Sequence, residues 1–253
     1  MTELLYLADG DAAYTQRFEA RVVALPPGAI VLDRTFFYPT GGGQPADAGR
    51  LFRAKGGGSW PVVDVQRAAG AVLHRLGRPE ENPKPLQLDE PLQGEIDWER
   101  RYRHMRLHTG QHLLSARLFA MTGRRTRGAR FSGTGGTIDL EFGLGELPAA
   151  SEIERDVRRW IEENRAVRTR LVPLAEYATE PPSRSAAVGV PPGIDPVRVV
   201  EIDAADRCPC GGTHVRSLGE VGGLQVHPPE LRAGGEARIS FRLTGALPPT
   251  PPG

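Results

Sequence analysis

The chain has 253 residues, with 32 Lys and Arg against 31 Asp and Glu, so its formal net charge is only +1. That balance excludes a histone-like or tail-driven nucleic-acid binder, in which bulk positive charge does the binding, but not a local basic patch. A 39% hydrophobic content suffices for a core, no apolar run approaches the ~18–20 residues of a membrane helix, and the start lacks a basic leader, so a soluble, cytoplasmic protein is expected.

The first ~95 residues read as short strands punctuated by Gly and Pro, which predicts a small β-barrel or meander. Within it, 30–38 is β-branched and aromatic, 60–65 and 71–76 are short apolar runs, and 54–59 reads as a hairpin tip. Residues 77–92 carry prolines at 79, 83, 85 and 91 and several acids, as a connector would. From 98 to 122 the pattern changes: Trp98, Tyr102, Met105, Leu113, Leu114, Leu118 and Phe119 recur at helical spacing. A strand is expected at 137–142, and Ser151 with Glu154 reads as a capping box opening a second helix. Further strands are expected at about 166–173, 197–203, 221–227 and 236–243, followed by a disordered Pro-rich tail at 247–253. The fold class is therefore α+β, divided as 1–94, 95–246 and the tail, with helices packed on a largely antiparallel sheet in the second part.

Four residues have metal-ligand character. His108 and His112 lie four apart on the predicted helix, which puts both imidazoles on one face. About a hundred residues later, Cys210 and His214 flank Gly211-Gly212-Thr213, a turn that can aim both side chains at one point. One thiolate and three imidazoles are ligand types that zinc prefers. His104, one turn before His108, is an alternative ligand, but its neighbours Arg101, Arg103 and Arg106 favour a phosphate or ribose contact, or plain exposure. Cys208 competes with Cys210; Cys210 is preferred because the turn glycines lie between it and His214. Only Pro209 separates the two cysteines, which makes a disulfide between them geometrically poor. His74 and His227 read as structural. A metalloprotease is excluded because Thr109, not Glu, follows His108, and a zinc deaminase because no Cys-x-x-Cys is present.

The segment Phe37-Tyr38-Pro39-Thr40-Gly41-Gly42-Gly43-Gln44-Pro45 follows a predicted strand. Three consecutive glycines mean either a hairpin turn with spare glycines or close approach of the backbone to something bulky. No Gly-Lys-Ser/Thr follows, so it is not a phosphate-binding P-loop; Thr40 and Gln44 suit an uncharged polar substrate. The near-neutral total also hides a segment: residues 99–130 hold nine arginines and one acid, a local charge of +8, flanked by acidic stretches. A basic stripe beside a metal site suggests a polyanionic substrate, with Arg101, Arg103, Arg106, Arg124, Arg125 and Arg127 as phosphate contacts. The plainer reading is a solvated helix face paired with those acids.

Taken together, Tyr38 to Pro45, Ile96-Asp97-Trp98 leading to Arg101, His108-Thr109-Gly110-Gln111-His112-Leu113-Leu114 and Cys208-Pro209-Cys210-Gly211-Gly212-Thr213-His214-Val215 resemble the freestanding alanyl-tRNA editing proteins. The match is to their longer form with an N-terminal β-barrel, and those proteins are related to the editing domain of alanyl-tRNA synthetase and resemble that of threonyl-tRNA synthetase. The resemblance implies hydrolysis of the ester joining serine, or glycine, to tRNA(Ala), at Zn2+ held by His108, His112, Cys210 and His214. It also implies that Thr40 reads the serine hydroxyl and that Gly41, Gly42, Gly43 and Gln44 form a loop closing over the pocket. The expected partner is tRNA(Ala) carrying a non-cognate amino acid; no membrane and no obligate protein partner are indicated, and no residue stands out as a general base. The alternatives are a zinc-stabilised RNA-binding module without hydrolysis, and editing of another mischarged tRNA.

Overall fold

The computed structural model describes residues 2–54, 56–68, 70–79, 83–141, 147–179, 189–232 and 235–245. The predicted tail at 247–253 lies outside them. The chain divides into two units, one formed by residues 2–41 and 45–102, the other by 42–44 and the described residues from 103 onward.

The first unit opens with β1 (Glu3–Leu4), β2 (Arg17–Ala24), β3 (Ala29–Leu32) and β4 (Arg34–Thr35). β5 (Gly49–Arg53), β6 (Ser59–Ala68), β7 (Ala71–Leu76) and β8 (Pro91–Ile96) complete it. Six of these close into a barrel in the order β2-β3-β7-β6-β5-β8, every pair antiparallel. The period-2 pattern explains why: β2 alternates exposed and buried residues, sending Phe18, Ala20 and Val22 inward to meet Ile30, Leu51 and Leu92. Each of these side chains larger than alanine contributes roughly 1.5–3 kcal/mol when removed from water. The predicted run 30–38 breaks at Asp33, because β4 leaves the barrel to pair in parallel with β1. The Pro-rich connector ends in a strand, with Pro91 at the start of β8.

Helix α1 (Trp98–Thr122) has the predicted bounds. Its first residues belong to the first unit, where Trp98 stacks on Tyr102 with centroids 5.4 Å apart. Arg101 is fully buried there: its Nε lies 3.0 Å from both Asp47 carboxylate oxygens, and it donates to Ala13 O at 2.8 Å and Phe36 O at 2.5 Å. The expectation that Arg101 grips phosphate is thus corrected, since a guanidinium committed to a buried carboxylate and two carbonyls has no face left for solvent.

The second unit contains β9 (Thr126–Ser132), β10 (Gly135–Glu141), α2 (Ala150–Glu162), β11 (Val167–Val172), α3 (Leu174–Tyr177), β12 (Val197–Ile202) and β13 (Asp206–Pro209). It ends with β14 (Gly223–Val226), β15 (Glu230–Arg232) and β16 (Glu236–Thr244). One antiparallel sheet runs β14-β16-β10-β9 with β15 also on β16, and a second runs β11-β12-β13. α2 buries Ile153, Val157 and Ile161 and packs over β14. The expected capping box at Ser151 and Glu154 does not form: the N-cap is Ala149, two residues before Ser151, and Glu154 instead accepts from Val226 N at 3.2 Å. A capping box is found at Ser217 and Glu220, before the short turn Leu218–Val221. Among the described residues no helix is long and apolar enough to cross a membrane.

Candidate metal centre

His108 and His112 sit one turn apart on α1, so both imidazoles leave the same face. Cys210 and His214 follow β13, whose pairing with β12 delivers the chain to the helix. The four ligand atoms all lie within 4.8 Å of one another. Cys210 Sγ is 3.5 Å from His108 Nε2 and 3.4 Å from His214 Nε2. The turn between Cys210 and His214 must be bare of side chains at one point. A Cβ on Gly212 would stand 2.0 Å from His108 Cε1 and 2.3 Å from its Nδ1. Arg198 on β12 braces this turn, donating to Cys210 O at 2.7 Å and Gly212 O at 2.8 Å.

Each imidazole is also held through its second nitrogen. His108 Nδ1 lies 2.8 Å from Gln44 Oε1, His112 Nδ1 3.0 Å from Asp206 Oδ2, and His214 Nδ1 3.1 Å from Thr109 Oγ1. An amide or carboxylate oxygen only accepts, so Nδ1 of His108 and of His112 carries a proton, which in the neutral ring leaves the Nε2 lone pair for a metal. Gln44 is oriented in turn, accepting from Thr213 N at 3.2 Å and donating from Nε2 to Thr213 Oγ1 at 2.8 Å. Ligating histidines in metalloproteins are fixed in this way.

The protonation tendencies suit the same role at Cys210 and His214. Burial works against a thiolate at Cys210, but His108 and His214 outweigh it and hold the thiol well below 9.0. Burial, with His108 beside it, keeps His214 well below 6.5 and so neutral, as a ligand must be. Burial also opposes a charge on His112, yet its partners Cys208 and Asp206 raise it well above 6.5. Cys208 differs from Cys210: burial pushes it up to about 12, and it stands on the Nδ1 side of His112 at 3.3 Å. One low-pKa thiol on half-buried Cys210 and three buried imidazoles fit a divalent transition metal.

The remaining predicted residues are distributed differently. Gln44 is fully buried with its amide spent on His108 and Thr213, so its expected contact with substrate is replaced by a hold on a metal-site histidine. Gly43 does approach something bulky, but that is β9: a Cβ on it would lie 2.2 Å from Ala129 O, and its own carbonyl accepts from Phe131 N at 3.1 Å. A Cβ on Gly42 would meet nothing within 4 Å among the described residues. In the first unit, Gly41 O accepts from Tyr38 Oη at 2.9 Å, and exposed Thr40 accepts from Ala46 N at 3.1 Å. Arg106 is buried and donates twice to Val221 O, at 3.1 and 2.9 Å, so it leaves the set of phosphate contacts together with Arg101. Arg103 is half-buried, and Arg124, Arg125 and Arg127 are exposed. His104 is buried, not at the surface. Thr109, Arg198 and Asp206 escaped the sequence reading. Thr109 had a signal, lying between two ligands, whereas the other two touch the site only through strand pairing.

Comparison with known proteins agrees with this anatomy. Residues 11–100 match the model of class II (A) tRNA synthetases, and residues 197–232 that of the threonyl and alanyl tRNA synthetase second additional domain. The chain is 35% identical over 243 residues to the alanine–tRNA ligase of Pyrococcus abyssi, covering 95% of itself and 26% of that ligase. It is 34% identical over 247 residues to the alanyl-tRNA editing protein AlaX-M of Methanosarcina acetivorans, covering 96% of itself and 99% of that protein. With AlaX-M of Methanosarcina mazei the identity is again 34% over 247 residues, covering 96% and 97% of the two chains, and on that full-length likeness the chain belongs to the alanyl-tRNA editing proteins.

Proposed function

We propose that the chain clears serine, and glycine, from mischarged tRNA(Ala) at a zinc ion held by His108, His112, Cys210 and His214. As a member of the editing family it is an aminoacyl-tRNA deacylase, a hydrolase of the ester that joins amino acid to tRNA. The observation that carries the zinc reading is the convergence of four ligand atoms within 4.8 Å, with every imidazole tethered through its other nitrogen. Zinc at this place supplies Lewis acidity and a fixed point for the aminoacyl group.

The chain's own part is positioning and selection. An aminoacyl ester is already activated, so holding it in register does more than strong acid–base chemistry. A synthetase pocket shaped for alanine excludes serine poorly, whereas a second site that hydrogen-bonds the serine hydroxyl rejects alanine, whose methyl leaves that partner unpaired. Thr40 suits this selection, because its oxygen accepts from Ala46 N and, among the described residues, its proton has no acceptor. Half-buried Arg103 and exposed Arg124, Arg125 and Arg127 are the arginines of the basic segment that meet the tRNA backbone in this reading.

The test is turnover on a panel of mischarged tRNAs. A catalytic amount of protein should clear an excess of Ser-tRNA(Ala) and leave Ala-tRNA(Ala) intact. Stoichiometric protection of the ester would instead reveal a binding module, and preference for another tRNA would reassign the substrate.

A further inference from the structure

The three tethers on the imidazoles are not alike. Gln44 and Thr109 are neutral, and each is bound to further groups: Gln44 to Thr213, and Thr109 Oγ1 to Val215 N at 3.3 Å. Asp206 is a carboxylate whose side chain is 0% exposed, and its Oδ2 lies 3.0 Å from His112 Nδ1. Its other oxygen, Oδ1, has no hydrogen-bond partner among the described residues. An acid so buried, with one partner, is costly in a fold unless it serves that partner. It does not cap the turn it adjoins: the hairpin from β12 to β13 closes through Ala205 N to Ile202 O, a backbone bond. β13 alternates, so that Asp206 and Cys208 face the same side while Arg207 faces the other and bonds Glu201 at 3.0 Å. The strand thus delivers a carboxylate and a thiol to one nitrogen of one metal-site histidine.

We propose that Asp206 is the positioning residue of the metal centre, fixing His112 in the form protonated at Nδ1, which leaves the Nε2 lone pair for a metal, and strengthening it as a ligand beyond what Gln44 and Thr109 do for His108 and His214. A carboxylate on the far nitrogen raises the basicity of an imidazole and locks its rotation; the loss of such a partner typically lowers metal affinity roughly 10–100-fold. Cys208, a thiol at the same nitrogen, is a packing neighbour and not the determinant. The inference rests on the reading of the four-residue cluster as a zinc site.

The experiment is zinc affinity by competition with a chromophoric chelator, on the full chain and on Asp206→Asn, Asp206→Ala and Cys208→Ser, with the thermal midpoint of each apoprotein measured alongside. Asp206→Asn should bind zinc at least ~10-fold more weakly than the parent while its apoprotein melts within a few degrees of the parent's. Cys208→Ser should stay within about threefold of the parent, a margin well below the change expected for loss of such a partner. In the cobalt-substituted protein, the ligand-field bands should broaden in Asp206→Asn as His112 loses its fixed orientation. If Asp206→Ala fails to fold, the near-isosteric Asn variant still decides. Parent-like affinity in Asp206→Asn overturns the inference alone; a parent chain that binds no zinc overturns the metal reading and the inference with it.

Discussion

Acid should unfold this protein partly through one histidine remote from the metal-site cluster in sequence and partners. His74 on β7 is fully buried, with Nε2 2.9 Å from Thr35 Oγ1 and Nδ1 3.4 Å from Ile30 O. The carbonyl only accepts, so Nδ1 holds the proton and Nε2 accepts from the Thr35 hydroxyl, which in turn accepts from Phe37 N at 3.1 Å. Burial lowers its pKa from 6.5 to about 4, against smaller opposing contributions from the Ile30 and Val72 backbone. The folded state therefore refuses a proton that the unfolded chain accepts at 6.5. Stability from this residue is whole above about pH 6.5 and is lost progressively as pH falls to about 4. The difference in pKa corresponds to about 3 kcal/mol, a large part of a typical domain's margin. The assay is denaturant unfolding of the barrel's near-ultraviolet signal at pH 7 and pH 4, for the parent chain and His74→Gln, with the imidazole Cε1 proton of His74 followed by NMR. The parent should lose about 3 kcal/mol more than the variant across that interval, because every other titration cancels in the difference. Parallel stability curves, or an NMR midpoint near 6.5, would refute the reasoning.

Three further outcomes follow from single contacts. Gly212→Ala should cut zinc affinity and deacylation by at least about a hundredfold, because its methyl would overlap His108, while Gly211→Ala, which meets nothing within 4 Å, should leave both intact; the pair is read by metal content and single-turnover rates. Arg101→Leu should lower stability by about 3–5 kcal/mol by stranding the fully buried Asp47, without a change in the salt dependence of tRNA binding; a weakened salt slope would return Arg101 to the phosphate contacts. Thr40→Val should erode discrimination between Ser-tRNA(Ala) and Ala-tRNA(Ala) by about 10–100-fold with tRNA affinity unchanged, and an unchanged ratio of kcat/KM values would deny the residue its role.

What could be read from the letters depended on how local the cause was. α1 was legible end to end because seven apolar residues repeat at helical spacing, and the metal-site cluster because its halves are the local patterns His-x-x-x-His and Cys-Gly-Gly-Thr-His. β9 was not, since its arginines made Thr126–Ser132 look like a charge block: only Thr126 and Phe131 are buried, five apart, which is no strand signature. The charge arithmetic failed for a related reason. Sequence reports that 99–130 carries +8, but not depth, and depth removes Arg101 and Arg106. Asp47, which neutralises Arg101, lies 54 positions away, and the Val221 carbonyl that holds Arg106 lies 115 away. Gln44 shows the same limit at the metal-site cluster. Its partner Thr213 is 169 residues distant, so nothing local marked it as a brace for His108 and not a donor to substrate. Depth thus divides the basic segment: Arg101 and Arg106 build the protein by saturating buried acceptors, whereas the exposure of those at 124, 125 and 127 suits them to meet a polyanion. If tRNA meets half-buried Arg103 and the three exposed arginines, as proposed, the salt dependence of binding should report about three or four phosphate contacts and not the six arginines the sequence offers.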